Sequence, residues 1–261
     1  MFIDSHCHLD KLDVASEEGG VQAALQRAKD QQVSHVLCIG IDMESIQDVL
    51  HIAESYPNVF ATVGAHPLYQ DNKSPSLDEL SLLAEHPKVI GIGESGLDYF
   101  YCKGDLQWQR DRFVTHIQAA VETKLPLIVH TRAAKSDTLD LLIKHGQGKV
   151  KGVLHCFTED LDMAQQAIEL GFYISISGIV TFNSADELRD VVDKIPLEKL
   201  LIETDAPWLT PVPNRGKPNE PKYVVDVAKK IADIKGVSIE TVAQVTTNNF
   251  FTLFSKAKDN I

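Results

Sequence analysis

Four histidines of this 261-residue chain close short β-branched runs: His6 and His8 in FIDSHCH, His130 in LIVHT and His155 in GVLHCF. Glu94 ends the run VIGIGES and Asp205 the run LLIETD in the same manner. Imidazole and carboxylate are the ligand types that hold zinc and related divalent ions. Residues two apart on a strand point the same way, so both imidazoles of His6-Cys7-His8 can meet one ion. A lone histidine at a strand end is ordinarily a capping or hydrogen-bonding group, and His35, His51, His86, His116 and His145 are read that way. Structural histidines have no reason to gather at the same end of several strands. Six ligands exceed what one tetrahedral ion needs, whereas two ions sharing a carboxylate need about this many, which points to a two-metal hydrolytic centre.

Other groups fall beside these positions. His66 ends VFATVGAH, Arg132 follows His130, and Arg215 and Lys217 lie in PVPNRGKPNEP. Guanidinium groups from two directions suit phosphate oxygens, so Arg132, Arg215 and His66 are read as substrate-binding residues. Glu203 shares its strand face with Asp205 and is read as a group supporting the ligands. Tyr99, Phe100 and Tyr101 follow the fourth run and are candidates for stacking on bases. Cys7 and Cys156 adjoin ligand histidines, but strand alternation should turn both thiols to the opposite face, into apolar packing.

Such convergence needs elements that bring strand ends together. Eight strand-like runs start at Phe2, His35, Val59, Val89, Leu127, Gly152, Phe172 and Leu200. Helical spacing fills the segments 20–32, 44–55, 77–85, 107–123, 136–144, 160–170 and 185–194, and two more helical stretches follow the eighth run. Strand and helix alternating eight times predicts a parallel sheet closed into a single (β/α)8 TIM barrel over residues 1–261, with the βα loops carrying the site on one face. An open doubly wound sheet is the alternative. It lacks support, because no glycine-rich phosphate fingerprint opens any helix and GIGES has the wrong spacing for one. Five prolines, from Pro207 to Pro221, make the stretch after the eighth run a long loop.

Composition narrows the classes. Apolar residues are 44% and charged residues 24%, values of a globular chain. Twenty-five basic against 37 acidic residues give a net charge of -12, which repels polyanions at long range and leaves any nucleic-acid contact local. No 18-residue apolar stretch and no leader-like N-terminus are seen, and four cysteines form no CxxC pair, so a cytoplasmic protein with reduced thiols and no membrane contact is expected.

HCHLD, VGAHP, GESGLDY, VHTR, HCF, ETDAPWL and RGKPNEP, in that order over nearly the whole chain, resemble the TatD family of metal-dependent deoxyribonucleases in the amidohydrolase-like superfamily. The resemblance implies that His6, His8 and Asp205 hold one ion, His130 and His155 the other, and that Glu94 bridges them where the superfamily often has a carbamylated lysine. It further implies two divalent ions per chain (zinc, manganese or magnesium) that acidify a water. Asp205 is implied as the group moving its proton, and the substrate as DNA, degraded 3′ to 5′ from single-stranded ends. The same constellation also suits hydrolysis of a cyclic amide, lactone or phosphotriester. A binding protein without turnover is the remaining class, and an intact open ligand set argues against it.

Overall fold

The computed structural model describes residues 1–12 and 20–260, and of 259 and 260 the backbone alone. Eight strands form one sheet in chain order: β1 (Phe2–Cys7), β2 (Val33–Cys38), β3 (Val59–Val63), β4 (Val89–Asp98), β5 (Leu127–Arg132), β6 (Gly152–Leu154), β7 (Phe172–Ile176) and β8 (Leu200–Ile202). Every paired neighbour is parallel. Helices α1 (Gly20–Asp30), α2 (Ile46–Ser55), α3 (Leu77–Ala84), α4 (Gln107–Thr123), α5 (Lys135–Gly146), α6 (Leu161–Glu169) and α7 (Asp186–Lys194) alternate with the strands. After β8 come α8 (Val224–Lys235) and α9 (Ile239–Leu253). The architecture is a nearly closed, single-domain TIM-type barrel, as the alternation predicts. No helix among the described residues is long and apolar enough to cross a membrane.

Two hydrophobic clusters explain why the sheet curls. One lies between the strands and the surrounding helices. The other fills the interior with one side chain per strand: Ile3, Leu37, Phe60, Ile90, Ile128, Val153, Tyr173 and Leu201. Phe250 and Leu253 of α9, with Phe254 and Ala257 just beyond it, join this inner cluster. Thr247 of α9 donates to Met1 O just before β1 and Asn249 to Leu200 O at the start of β8, so α9 seals the N-terminal end of the barrel. The opposite end stays open for polar groups.

The seam between β8 and β1 is held mainly above the strands. Asp205 N donates to His6 O at 2.9 Å and His8 N to Ala206 O at 2.8 Å. Lower down, Ser5 Oγ donates to Ile202 O at 2.9 Å. The wholly buried Asp4 carboxylate accepts from Thr204 N at 2.9 Å and Thr204 Oγ1 at 2.6 Å. The backbone that closes the barrel thus belongs to site residues.

Several elements are shorter than their patterns suggest. β6 and β8 have three residues each, so His155 and Asp205 stand one and three residues past their strands. Cys156 (φ 41°) and Asp205 (φ 57°) lie in the left-handed region, which no strand can continue through. The segment beginning at Glu44 becomes helical at Ile46, because Asp42 Oδ1 accepts the Ser45 N–H at 2.6 Å and holds a turn first.

Candidate metal centre

β1 reaches the site through an irregularity. Its pairing runs Asp4↔Val36 and then Cys7↔Cys38, three residues against two. Ile3 faces the interior, and strict alternation from Ile3 would send Cys7 inward. The extra residue reverses the parity, so His6 and His8 face the mouth and Cys7 packs in the outer cluster. A second irregularity in β4, Ile92↔Leu127 then Ser95↔Val129, brackets Glu94. The glycines on either side of that bracket have a steric reason. A Cβ on Gly93 would stand 2.6 Å from Ile128 O and one on Gly96 1.9 Å from His130 O, and both have strongly positive φ. GIGESG is therefore a close approach of β4 to β5, which delivers Glu94 to the barrel axis.

Glu94 faces donors on both sides. Its Oε2 lies 3.3 Å from His6 Nε2 and 3.9 Å from His8 Nε2. Asp205 Oδ1 is 3.6 Å from His6 Nε2 and 3.5 Å from His8 Nε2, and the two imidazole nitrogens are 3.3 Å apart. Four ligands at ~2.0–2.1 Å around a tetrahedral ion stand about 3.3–3.4 Å from one another, so this group fits a divalent cation with little movement. Glu94 Oε1 faces the other way, 2.7 Å from His155 Nε2, 3.3 Å from His130 Nδ1 and 3.1 Å from His66 Nε2. His155 Nε2 has no hydrogen-bond partner although it is buried and so close to a carboxylate oxygen. Such a pair fits donors to a common cation.

Charge and burial are balanced within the cluster. Burial pushes the Glu94 carboxyl up, but the imidazoles of His155, His66 and His6 outweigh it and hold the group well below the carboxylate range. Asp205 is likewise lowered, against burial, by His8, His6 and His155. Burial opposes a proton on His155, yet Glu94 and Glu203 raise it well above the ordinary imidazole value. His6 is lowered by burial and by His155, whose ring stacks on it at 3.8 Å. A cation entering this cluster must displace protons held by carboxylate-paired histidines.

Supporting groups complete the arrangement. Asp98, which sequence reasoning missed, lies wholly buried with Oδ2 3.1 Å from His130 Nε2. The spacing GESGLDY carries the only sequence signal for it, four residues along β4 from Glu94. Glu203 is wholly buried, accepts Cys156 N–H at 2.7 Å and lies 3.4 Å from His155 Nδ1, which suits the supporting role read for it. His66 is drawn into the donor cluster, but Leu68 N–H donates to its Nδ1 at 3.1 Å. With Nδ1 accepting, the ring proton is on Nε2, so His66 presents an N–H to Glu94 and His130 rather than a lone pair.

The cleft above these groups has a volume of about 660 Å³, and Arg132 is the one lysine or arginine lining it among the described residues. Its guanidinium lies over the rings of Phe100 and Tyr101, at 4.3 and 4.8 Å from their centroids. Tyr69 and Trp208 also border the cleft, two exposed rings the sequence did not single out. Two expectations need correction. Tyr99 turns away, its hydroxyl donating to Asp137 at 2.6 Å. Cys156 lines the cleft instead of packing on the outer face, because its left-handed backbone ends the alternation. Arg215 does not line the cleft and stacks on Phe182 at 3.9 Å. Within the same proline-rich loop, buried Asn219 donates to Thr204 O at 2.9 Å and also to Trp208 O, fastening the loop behind Asp205.

Comparison with known proteins adds to this geometry. The family model for TatD-related DNase matches residues 3–255. The chain belongs to the TatD-related DNase family. Within the family it is 44% identical over 252 residues to the uncharacterized metal-dependent hydrolase YcfH of Escherichia coli K12, covering 97% of this chain and 95% of that one. The crystal structure of the TatD homologue YjjV from E. coli K12 superposes with a TM-score of 0.88 at 32% identity, covering 97% and 98% of the two chains. An uncharacterized amidohydrolase from Saccharomyces cerevisiae shares the fold at 20% identity, with a TM-score of 0.80 over 97% of this chain and 99% of that one. As a TatD-family member the chain is a metal-dependent hydrolase, and its His, Asp and Glu clusters are the candidate metal sites.

Proposed function

We propose that this hydrolase is a phosphodiesterase that removes nucleotides from the 3′ ends of single-stranded DNA, using two divalent ions per chain. The observation that carries the reading is the divided Glu94 carboxylate, with Oε2 toward His6 and His8 and Oε1 toward His130 and His155. In this reading His6, His8 and Asp205 hold one ion, His130 and His155 the other, and Glu94 is shared. Bound ions supply an acidified water and neutralise charge on the phosphoryl group under attack. Imidazole-rich donors suit zinc or manganese by softness, and magnesium remains compatible with a site that keeps waters.

The chain's own groups do the rest. The Asp205 carboxylate takes a proton from the attacking water and returns it to the leaving oxygen. His66 donates its Nε2–H to a phosphoryl oxygen, a role supported by its committed Nδ1. Arg132, held flat by Phe100 and Tyr101, offers a fork of donors at the cleft edge. Arg215 belongs to the outer rim, so Arg215→Ala is expected to cost less activity than Arg132→Ala.

The family name supports DNA as substrate, and the cleft supports a strand end, since a pocket at a barrel mouth admits a terminus more readily than a duplex middle. The test offers end-labelled single-stranded DNA, a covalently closed single-stranded circle, RNA, a lactone and a phosphotriester to metal-loaded protein, with and without chelator. Stepwise shortening of linear DNA from the 3′ end, with the circle spared, is expected. Cleavage of the lactone or phosphotriester with DNA untouched would move the reading to the other hydrolytic chemistry.

A further inference from the structure

We infer that Asp98 is a positioning residue that presents the bare Nδ1 of His130 to the metal centre and ties that ring to the aromatic rim of the cleft. This rests on His130 being a ligand, as proposed above. Two backbone donors fix the direction of one Asp98 oxygen. The backbone N–H groups of Phe100 and Tyr101 both donate to Asp98 Oδ1, at 2.9 and 2.7 Å. The other oxygen, Oδ2, is left for His130 Nε2 at 3.1 Å, and His130 is the one ion-pair partner of Asp98 among the described residues. A carboxylate facing those donors accepts on both oxygens, so His130 Nε2 carries a ring proton and, in the neutral ring that a cation binds, Nδ1 keeps its lone pair.

That lone pair points at the cluster, 3.3 Å from Glu94 Oε1. His130 and His66 thus hold the same tautomer but present it opposite ways round: His130 shows a lone pair and His66 an N–H. One carboxylate sets the first of these. The turn it holds through Oδ1 carries Phe100 and Tyr101, the rings beneath Arg132. Ligand orientation and rim geometry therefore share a single anchor, and the β4–β5 pairing Asp98↔Arg132 places that anchor beside the arginine as well.

Asp98→Asn separates this role from simple bulk. An amide has one acceptor, and the two N–H groups of the turn hold it on their side. The NH2 then faces His130 Nε2, which must accept, so the ring proton moves to Nδ1 and blocks ligation. The measurement is the stepwise affinity of Mn2+ for the wild type, Asp98→Asn, His130→Ala and the double variant, by calorimetry with folding checked by circular dichroism. Asp98→Asn should weaken the second ion by about 10- to 100-fold, the scale found for partners that orient a ligand, and leave the first unchanged. His130→Ala should remove the same ion, and the double variant should lose nothing further. In parallel, 15N–1H correlation spectra of zinc-loaded wild type should show His130 protonated at Nε2. Both ions binding normally to Asp98→Asn while His130→Ala loses one, or a His130 proton on Nδ1, would overturn the inference. His130→Ala keeping both ions would overturn the ligand assignment and the inference with it.

Discussion

At the residue scale, Glu94 and Asp205 are both carboxylates of the cluster but differ in what surrounds them. Glu94 faces five imidazoles from the barrel axis, its side chain 3% exposed, whereas Asp205 touches only the His6 and His8 side of the cluster at 14% exposure. Removing the Glu94 charge takes a shared donor from both donor groups. Glu94→Gln is therefore expected to lose metal, read by elemental analysis after dialysis. Asp205→Asn keeps an amide oxygen near His6 and His8 and leaves the His130 side intact. It should retain at least one ion and lower turnover by on the order of 100-fold or more, the cost of removing a positioned proton carrier. Near-normal turnover of metal-loaded Asp205→Asn would refute the proton-transfer role.

At the element scale, the joint between α4 and the end of β3 is a buried histidine. His116 accepts the Ala65 N–H on Nε2 at 3.0 Å and donates from Nδ1 to Arg112 O at 2.8 Å. A charged imidazole could not accept, and burial lowers its pKa to about 4, outweighing the hydrogen bond to Arg112 O that favours the proton. The folded pKa lies below the unfolded value of ~6.5, so the unfolded chain binds more protons between those limits. The contribution is therefore complete above about pH 6.5 and is lost as pH falls toward 4, amounting to about 3 kcal/mol at the acid end. Urea denaturation at pH 7.5 and pH 4.5 should show a larger acid loss for wild type than for His116→Gln. Equal losses in the two proteins would show that α4 docks without this dependence.

At the scale of the whole molecule, a net charge of -12 stands against a polyanionic substrate. One arginine lines the cleft among the described residues, so few phosphates are neutralised by side chains and few counterions are released. Binding of single-stranded DNA to the metal-loaded protein should show a log–log salt slope near about -2, against the roughly -10 of an extended basic surface. Fluorescence anisotropy between 50 and 300 mM salt measures it. A steep slope would mean that the chain grips a long stretch of backbone by a surface outside this cleft.

What the sequence by itself determined follows from periodicity and residue type. Eight β-branched runs separated by helical spacing dictate a buried parallel sheet, because each strand must hide both faces. Ligand-type side chains at the same end of those runs then converge once the sheet closes. Local pattern could not decide matters that depend on two distant segments at once. The parity of His6 and His8 is set by an extra residue in β1 relative to β2, visible only in the pairing. The glycines around Glu94 became intelligible through the backbone of β5 that crowds them. Cys156 and Asp205 leave strand geometry through a left-handed backbone that the apolar runs before them do not announce. Asp98, Asn219 and His116 act through hydrogen bonds to His130, Thr204 and Ala65, partners 15 to 51 residues away, which carry no period. Sequence pattern suggests Arg215 as a phosphate ligand but carries no sign that it stacks on Phe182. Tertiary structure alone decides which of the stacked arginines, Arg132 or Arg215, lines the cleft, since both lie on aromatic rings and differ only in where their backbone is fastened.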